Sequence, residues 1–146
     1  MKGLLITLFA AVASPAVACG FHDEVSVQRG VMNWIYPESL HVRAAVWRAQ
    51  QAGQIEREEL PYLRVAFLLK ALAPRLAANT SVVLLTPMLW TRYGPEGVRV
   101  HAEGAAQGDA VLVTEATVVK AIVEERLTLA DALASGVLRI YPRQLK

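Results

Sequence analysis

Hydrophobic and polar positions divide the chain into three stretches of different period. Leu4 to Ala13 is a continuous apolar run interrupted only by Thr7, and Ser14-Pro15 closes it. From residue 23 to 79 apolar side chains recur at steps of three and four, the spacing of one face of a helix. From residue 80 to 142 they alternate or form short runs, the spacing of strands, with one helical insert.

The middle stretch predicts three helices. Asp23 caps a first helix reaching about Ile35, with Val27, Val31 and Trp34/Ile35 on one side. Tyr36-Pro37 ends it, and Pro37-Glu38-Ser39 opens a second, because proline suits a first helical turn. Leu40, Ala44 and Trp47 share a face of that second helix, which Gly53 stops. A third starts near Pro61 and carries Tyr62, Val65, Leu69, Leu72 and Leu76 as an amphipathic stripe. Pro74 kinks or divides it, and Asn79 can end it.

In the last stretch Val82-Val83-Leu84-Leu85 is a short strand, with Pro87 marking a bulge or an edge. Met88–Tyr93 and Gly97–Glu103 flank Gly94-Pro95-Glu96-Gly97 as a hairpin. Val98, Val100 and Ala102 alternate with Arg99, His101 and Glu103, so one face of that strand is wet. Ala110–Val113 is a buried strand. Thr114 caps a helix with Val119, Ile122 and Val123 inward. Thr128 and Asp131 form a variant capping box for a short helix that stops at Gly136. Val137–Tyr141 is the last strand. The whole predicts an α+β fold: an antiparallel sheet of four to five strands covered by helices, with a helical N-terminal half.

Composition changes the reading of the start. The chain has 146 residues, 54% of them hydrophobic, and a formal charge of +2. Lys2, the apolar run of about ten residues and Ala16-Val17-Ala18 are the three parts of a secretory signal peptide. A membrane span needs roughly 20 apolar residues. Residues 1–18 are therefore expected to be removed, leaving one domain over residues 19–146 with a helical part (23–79) and a sheet part (80–142). The expected location is the periplasm. The alternative is a lipoprotein anchored to the membrane through Cys19, but Ala16 stands where lipoproteins usually carry a larger aliphatic residue. Near-neutral charge gives no strong pull toward nucleic acid. Glu56-Arg57-Glu58-Glu59 reads as a solvated acidic helix start. Cys19 is the one cysteine, so no internal disulfide supports the core.

The second half resembles a known family. "LWTRYGPEGVRVHAEG" followed by "DAVLVTEATVVKAIVEERLTLADALASGVLRIYP" is similar to the C-terminal part of the sterol carrier protein type 2 family. The similarity covers roughly residues 88–142 and rests on Trp90, Asp109, the helix from Thr114, Leu127, Ala132 and Gly136-Val137-Leu138. Arg126 and Pro142 depart from it, where the family usually has glycine. The resemblance implies a sterol-carrier-like C-terminal half and a cavity for lipids or other apolar ligands between sheet and helices. It implies no catalytic residue.

Candidate chemistry is sparse. Trp34, Trp47, Leu69, Trp90, Val119 and Ile122 fall on apolar faces, where they pack a core or line a pocket. Cys19 and His22, completed by His41, offer a thiolate and imidazoles suited to copper or zinc; a surface histidine beside a capping aspartate fits the same residues. Glu38 and His41 have the Glu-x-x-His spacing of bundle metal sites, but those need two such motifs. No nucleophile elbow and no glycine-rich phosphate loop occurs. The residues point to an exported, non-enzymatic protein without a cofactor, binding an apolar small molecule or lipid. A metal or redox accessory protein and an assembly module with a protein partner are the alternatives.

Overall fold

The computed structural model describes residues 32–142. The signal segment, Cys19, His22 and most of the first expected helix lie outside the described residues.

Residues 32–35 are helical. Helix α1 follows at Ser39–Gln51 and α2 at Tyr62–Leu72, with a 3-10 turn at Ala73–Arg75. The strands are β1 (Thr80–Leu84), β2 (Leu89–Gly94), β3 (Gly97–Val100), β4 (Ala110–Thr114) and β5 (Arg139–Tyr141). Helices α3 (Ala116–Val123) and α4 (Leu129–Ala134) separate β4 from β5. The α+β class and the helices-then-sheet order stand.

The sheet is mixed rather than antiparallel. Its order is β3-β2-β1-β4-β5, and β1 and β4 run parallel in register Thr80↔Ala110 to Leu84↔Thr114. Two hairpin reversals carry the chain from β1 through β2 to β3. Residues 101–109 then return it without a strand, so β4 starts beside Thr80, with the Ala110 amide on the Asn79 carbonyl at 3.0 Å. All five β1 residues and four of the five in β4 are buried, as parallel strands covered on both faces should be.

Both sheet faces carry helix. On one, the Tyr93 hydroxyl donates to the Leu69 carbonyl of α2 at 2.7 Å, and α3 packs beside α2. On the other, the Tyr36 ring lies tilted beside that of Trp90 (6.1 Å) and meets the Tyr141 ring edge-on (4.8 Å), and α1 packs on β4.

The face that α1 buries differs from expectation. Val42, Ala45, Val46 and Ala49 are buried, while Leu40 and Trp47 face solvent, with Trp47 57% exposed. Two overlapping apolar stripes run along this helix, about 100° apart for each residue of offset. The stripe of small side chains wins because it lets α1 lie close to the chain before β5: a Cβ placed on Gly136 would sit 3.9 Å from that of Ala45.

Proline explains the end of α2. Pro74 has no N–H to give to the Lys70 carbonyl four residues back. The Ala73 amide serves Lys70 instead, tightening the last turn. That leaves the Leu69 carbonyl without its helical donor, and the Tyr93 hydroxyl supplies one.

Three local expectations change. Glu115, not Thr114, stands at the start of α3; the Thr114 hydroxyl donates across to the Val137 carbonyl at 2.9 Å. Strand β3 ends at Val100, because His101 turns left-handed (φ 64°). Glu56 to Glu59 do not start a helix. They form a strap over α3 whose carboxylates surround the ammonium of Lys120, a residue only 6% exposed. Lys120 pairs with Glu56, with Glu58 at 3.1 Å and with Glu124 at 3.4 Å. A charge this deep is tolerable only when so paired. The Thr128 cap is as expected: its hydroxyl accepts from the Asp131 amide at 3.0 Å. Gly136 ends α4 at φ 76°. No helix among the described residues is long and apolar enough to cross a membrane.

Candidate functional site

A groove of about 530 Å³ opens where α1, the strap, the β1–β2 turn and the start of α3 meet. Its floor and lip are apolar: Val46 and Trp47 from α1, Leu60, Val65 from α2, and Pro87, which follows a cis peptide bond. Arg43, Gln50, Arg57, Glu58, Glu59 and Glu115 supply the polar rim.

One polar network shapes this groove. Arg43 reaches from α1 to the turn after β1, donating to the Leu85 carbonyl at 3.0 Å and to the Thr86 hydroxyl at 3.2 Å. Glu115 accepts from the Thr86 amide at 3.0 Å and lies 3.6 Å from the Arg43 Nε. The carboxylate is largely buried, at 14% side-chain exposure. A charged pair at that depth, tied to a backbone amide, fixes the turn on two helices and with it the groove's end.

Lys120 braces the groove's other side. Glu58 lines the groove and is held by Lys120. The Glu56 carboxyl lies below its usual range, first because Lys120 donates to it and then through Arg126. The Glu124 carboxyl is lowered chiefly by its bond from Arg126. The Lys120 ammonium is raised by Glu56, against the opposing effect of its burial. These shifts keep Glu56 and Glu124 anionic and Lys120 cationic at neutral pH, so the strap is pinned.

The six residues expected to line a pocket do not come together. Trp47 stands at the lip of the groove, and Trp34 is 86% exposed away from it. Leu69, Val119 and Ile122 are sealed in the core; the edge of Ile122 touches only a shallow cleft beside Leu127 and Leu129. Trp90 is half-buried against Tyr36 on the opposite sheet face. His41 is exposed on α1, and no three metal-binding side chains cluster among the described residues. Cys19 and His22 lie outside them.

Sequence reasoning missed Arg43, Glu115 and Lys120. Arg43 and Glu115 are 72 positions apart in the chain, and no local pattern joins them. Lys120 had one signal, a charge in the middle of the apolar Val118–Val123 run.

Comparisons of the chain with known protein families, with characterised proteins and with solved structures find no match in any of the three.

Proposed function

We propose that the protein is an exported, non-enzymatic binding protein that holds an apolar or lipid-like ligand along the groove between α1 and the start of α3. The observation that carries this reading is the groove's composition. An apolar floor with a half-exposed tryptophan at its lip sits inside a polar rim in which Arg43, Glu115 and Glu58 are held in place, a form that suits a small-molecule site. At about 530 Å³ it has room for one acyl chain or a compact lipid-like molecule. The resemblance read in the sequence of residues 88–142 to the sterol carrier protein type 2 family, which no family model matches, points to the same ligand class. The site differs in kind from the interior cavity that family implies, being an open groove on the surface.

The test is native mass spectrometry of the purified mature protein, with titration by a long-chain fatty acid. Bound ligand, or saturable binding that weakens about tenfold in Trp47→Ala, supports the reading. A homogeneous ligand-free mass with no fatty-acid binding removes it.

A second reading, an assembly module with a protein partner, has its own observation. Leu63 and Phe67 stand one turn apart on the outside of α2, 80% and 71% exposed. Paired apolar side chains this exposed are a partner-surface signature. Crosslinking that captures no partner from the periplasm, with a monomeric mass, counts against it.

A further inference from the structure

Two arginines stand side by side on the sheet face opposite α2. Arg92 on β2 and Arg99 on β3 are direct cross-strand partners, so their side chains leave the sheet on the same side. Like charges in that position repel each other.

Arg92 is held in a set orientation. Its Nε donates to the Asp109 carboxylate at 3.0 Å. That carboxylate is buried, and it also accepts from the Ser81 hydroxyl at 2.7 Å and the Ala106 amide at 3.3 Å. A guanidinium tethered through Nε keeps its two terminal nitrogens for another acceptor. Arg99 is exposed, with no ion-pair partner among the described residues.

The chain after β3 folds over this pair. The Ala102 amide donates to the Trp90 carbonyl at 3.0 Å. The next three amides, of Glu103, Gly104 and Ala105, find no acceptor among the described residues. This loop and the two arginines line a depression of about 500 Å³. Another, of about 470 Å³, lies on the side of the pair toward the Gly94–Gly97 turn.

We propose that Arg92, Arg99 and the 103–105 amides form a phosphate-binding site, separate from the apolar groove. Two guanidinium forks and a run of amides offer more donors than one carboxylate can accept, and they match the several oxygens and double charge of a phosphate group. Asp109, Ser81 and Ala106 act as positioning groups for Arg92. Glu96 and Glu103 also line the two depressions and oppose an anion, so the affinity is modest. His101 is left out because its ring lies against Tyr62, 5.0 Å away.

The probes are inorganic phosphate, followed by calorimetry of the full chain at low ionic strength, and phosphatidylcholine vesicles with and without phosphatidic acid, followed by co-sedimentation. Free phosphate binding, or retention by phosphatidic acid vesicles alone, supports the site and tells a free anion from a lipid head group. Arg99→Gln should weaken the binding about tenfold without moving the melting temperature, since Arg99 holds nothing else in place. Glu103→Gln should strengthen it by removing a repelling charge. No binding in either arm up to about 10 mM phosphate, or equal binding by Arg99→Gln, overturns the proposal.

Discussion

Tyr93→Phe isolates the hydrogen bond that proline makes necessary. The substitution keeps the ring, which is 4% exposed and packed under α2. It removes only the hydroxyl that donates to the Leu69 carbonyl at 2.7 Å. No helical amide replaces that donor, because the Ala73 amide is committed to Lys70. A buried carbonyl left without a donor costs about 1–3 kcal/mol. Taking about 2 kcal/mol, and about 4 °C per kcal/mol for a domain of this size, the melting temperature should fall by about 8 °C. Thermal unfolding followed by circular dichroism reads this directly. Pro74→Ala gives the decisive comparison. With an amide restored at position 74, the α-helical pairing can reach Lys70, and the Ala73 amide can return to Leu69. In that background the cost of Tyr93→Phe should shrink by about 1 kcal/mol, a coupling larger than the roughly 0.5 kcal/mol of non-additivity ordinary for unconnected sites. A melting temperature unchanged by Tyr93→Phe, or an additive cycle, would refute the account of this helix end. The same burial pushes the Tyr93 phenol far above its ordinary value. The unfolded chain then loses this proton near pH 10 while the folded protein keeps it, so stability should fall as pH rises above about 10.

The strap and two turn or strand positions give three further tests. Because the Glu56 and Glu124 carboxyls are lowered in the fold, their stabilisation is complete above about pH 4.5 and drains as pH falls below it; the raised Lys120 holds its share until strongly alkaline pH. The urea midpoint should therefore be flat from about pH 6 to 9 and fall in acid, and an acid slope as steep in Glu56→Gln would contradict this assignment. Thr91 is fully buried with a hydroxyl that has no partner among the described residues, so Thr91→Val, which keeps the β-branch, should stabilise the protein by about 1 kcal/mol in urea unfolding. Gly136 sits at φ 76° with only ordinary contacts around a would-be Cβ, so Gly136→Ala should cost about 1 kcal/mol through backbone strain alone, and a neutral result would show that α4 can end another way.

The elements were legible where local physics decides them. Pro37, Gly53, Pro61, Pro74 and Gly136 bound helices because a missing N–H or a left-handed φ acts within one turn. The parallel pairing was present in the sequence but unread. Val82-Val83-Leu84 and Val111-Leu112-Val113 are continuous apolar runs, the mark of strands buried on both faces, whereas β2 alternates. The polar groove network was not legible, since Arg43, Thr86 and Glu115 meet only after the sheet has ordered itself.

The outward face of α1 carries the last step of the functional reasoning. A helix with two apolar stripes can bury only one, and volume decides which. Val42, Ala45, Val46 and Ala49 fit close to the sheet, while a tryptophan and a leucine at the same crossing would force the helix away. That choice leaves the larger side chains, Leu40 and Trp47, in solvent. Folding alone does not require them there: a polar residue at position 47 would serve solubility better and leave the core unchanged. Trp47, half-exposed at the lip of the groove, is therefore the residue at which the proposed ligand contact can be tested apart from the core. Trp47→Gln puts this to a measurement. It should leave the melting temperature within about 2 °C, because a half-exposed side chain outside the core contributes little to stability. It should also cost most of the fatty-acid binding. A large loss of stability with binding intact would mean that Trp47 is a packing residue and that the ligand lies elsewhere.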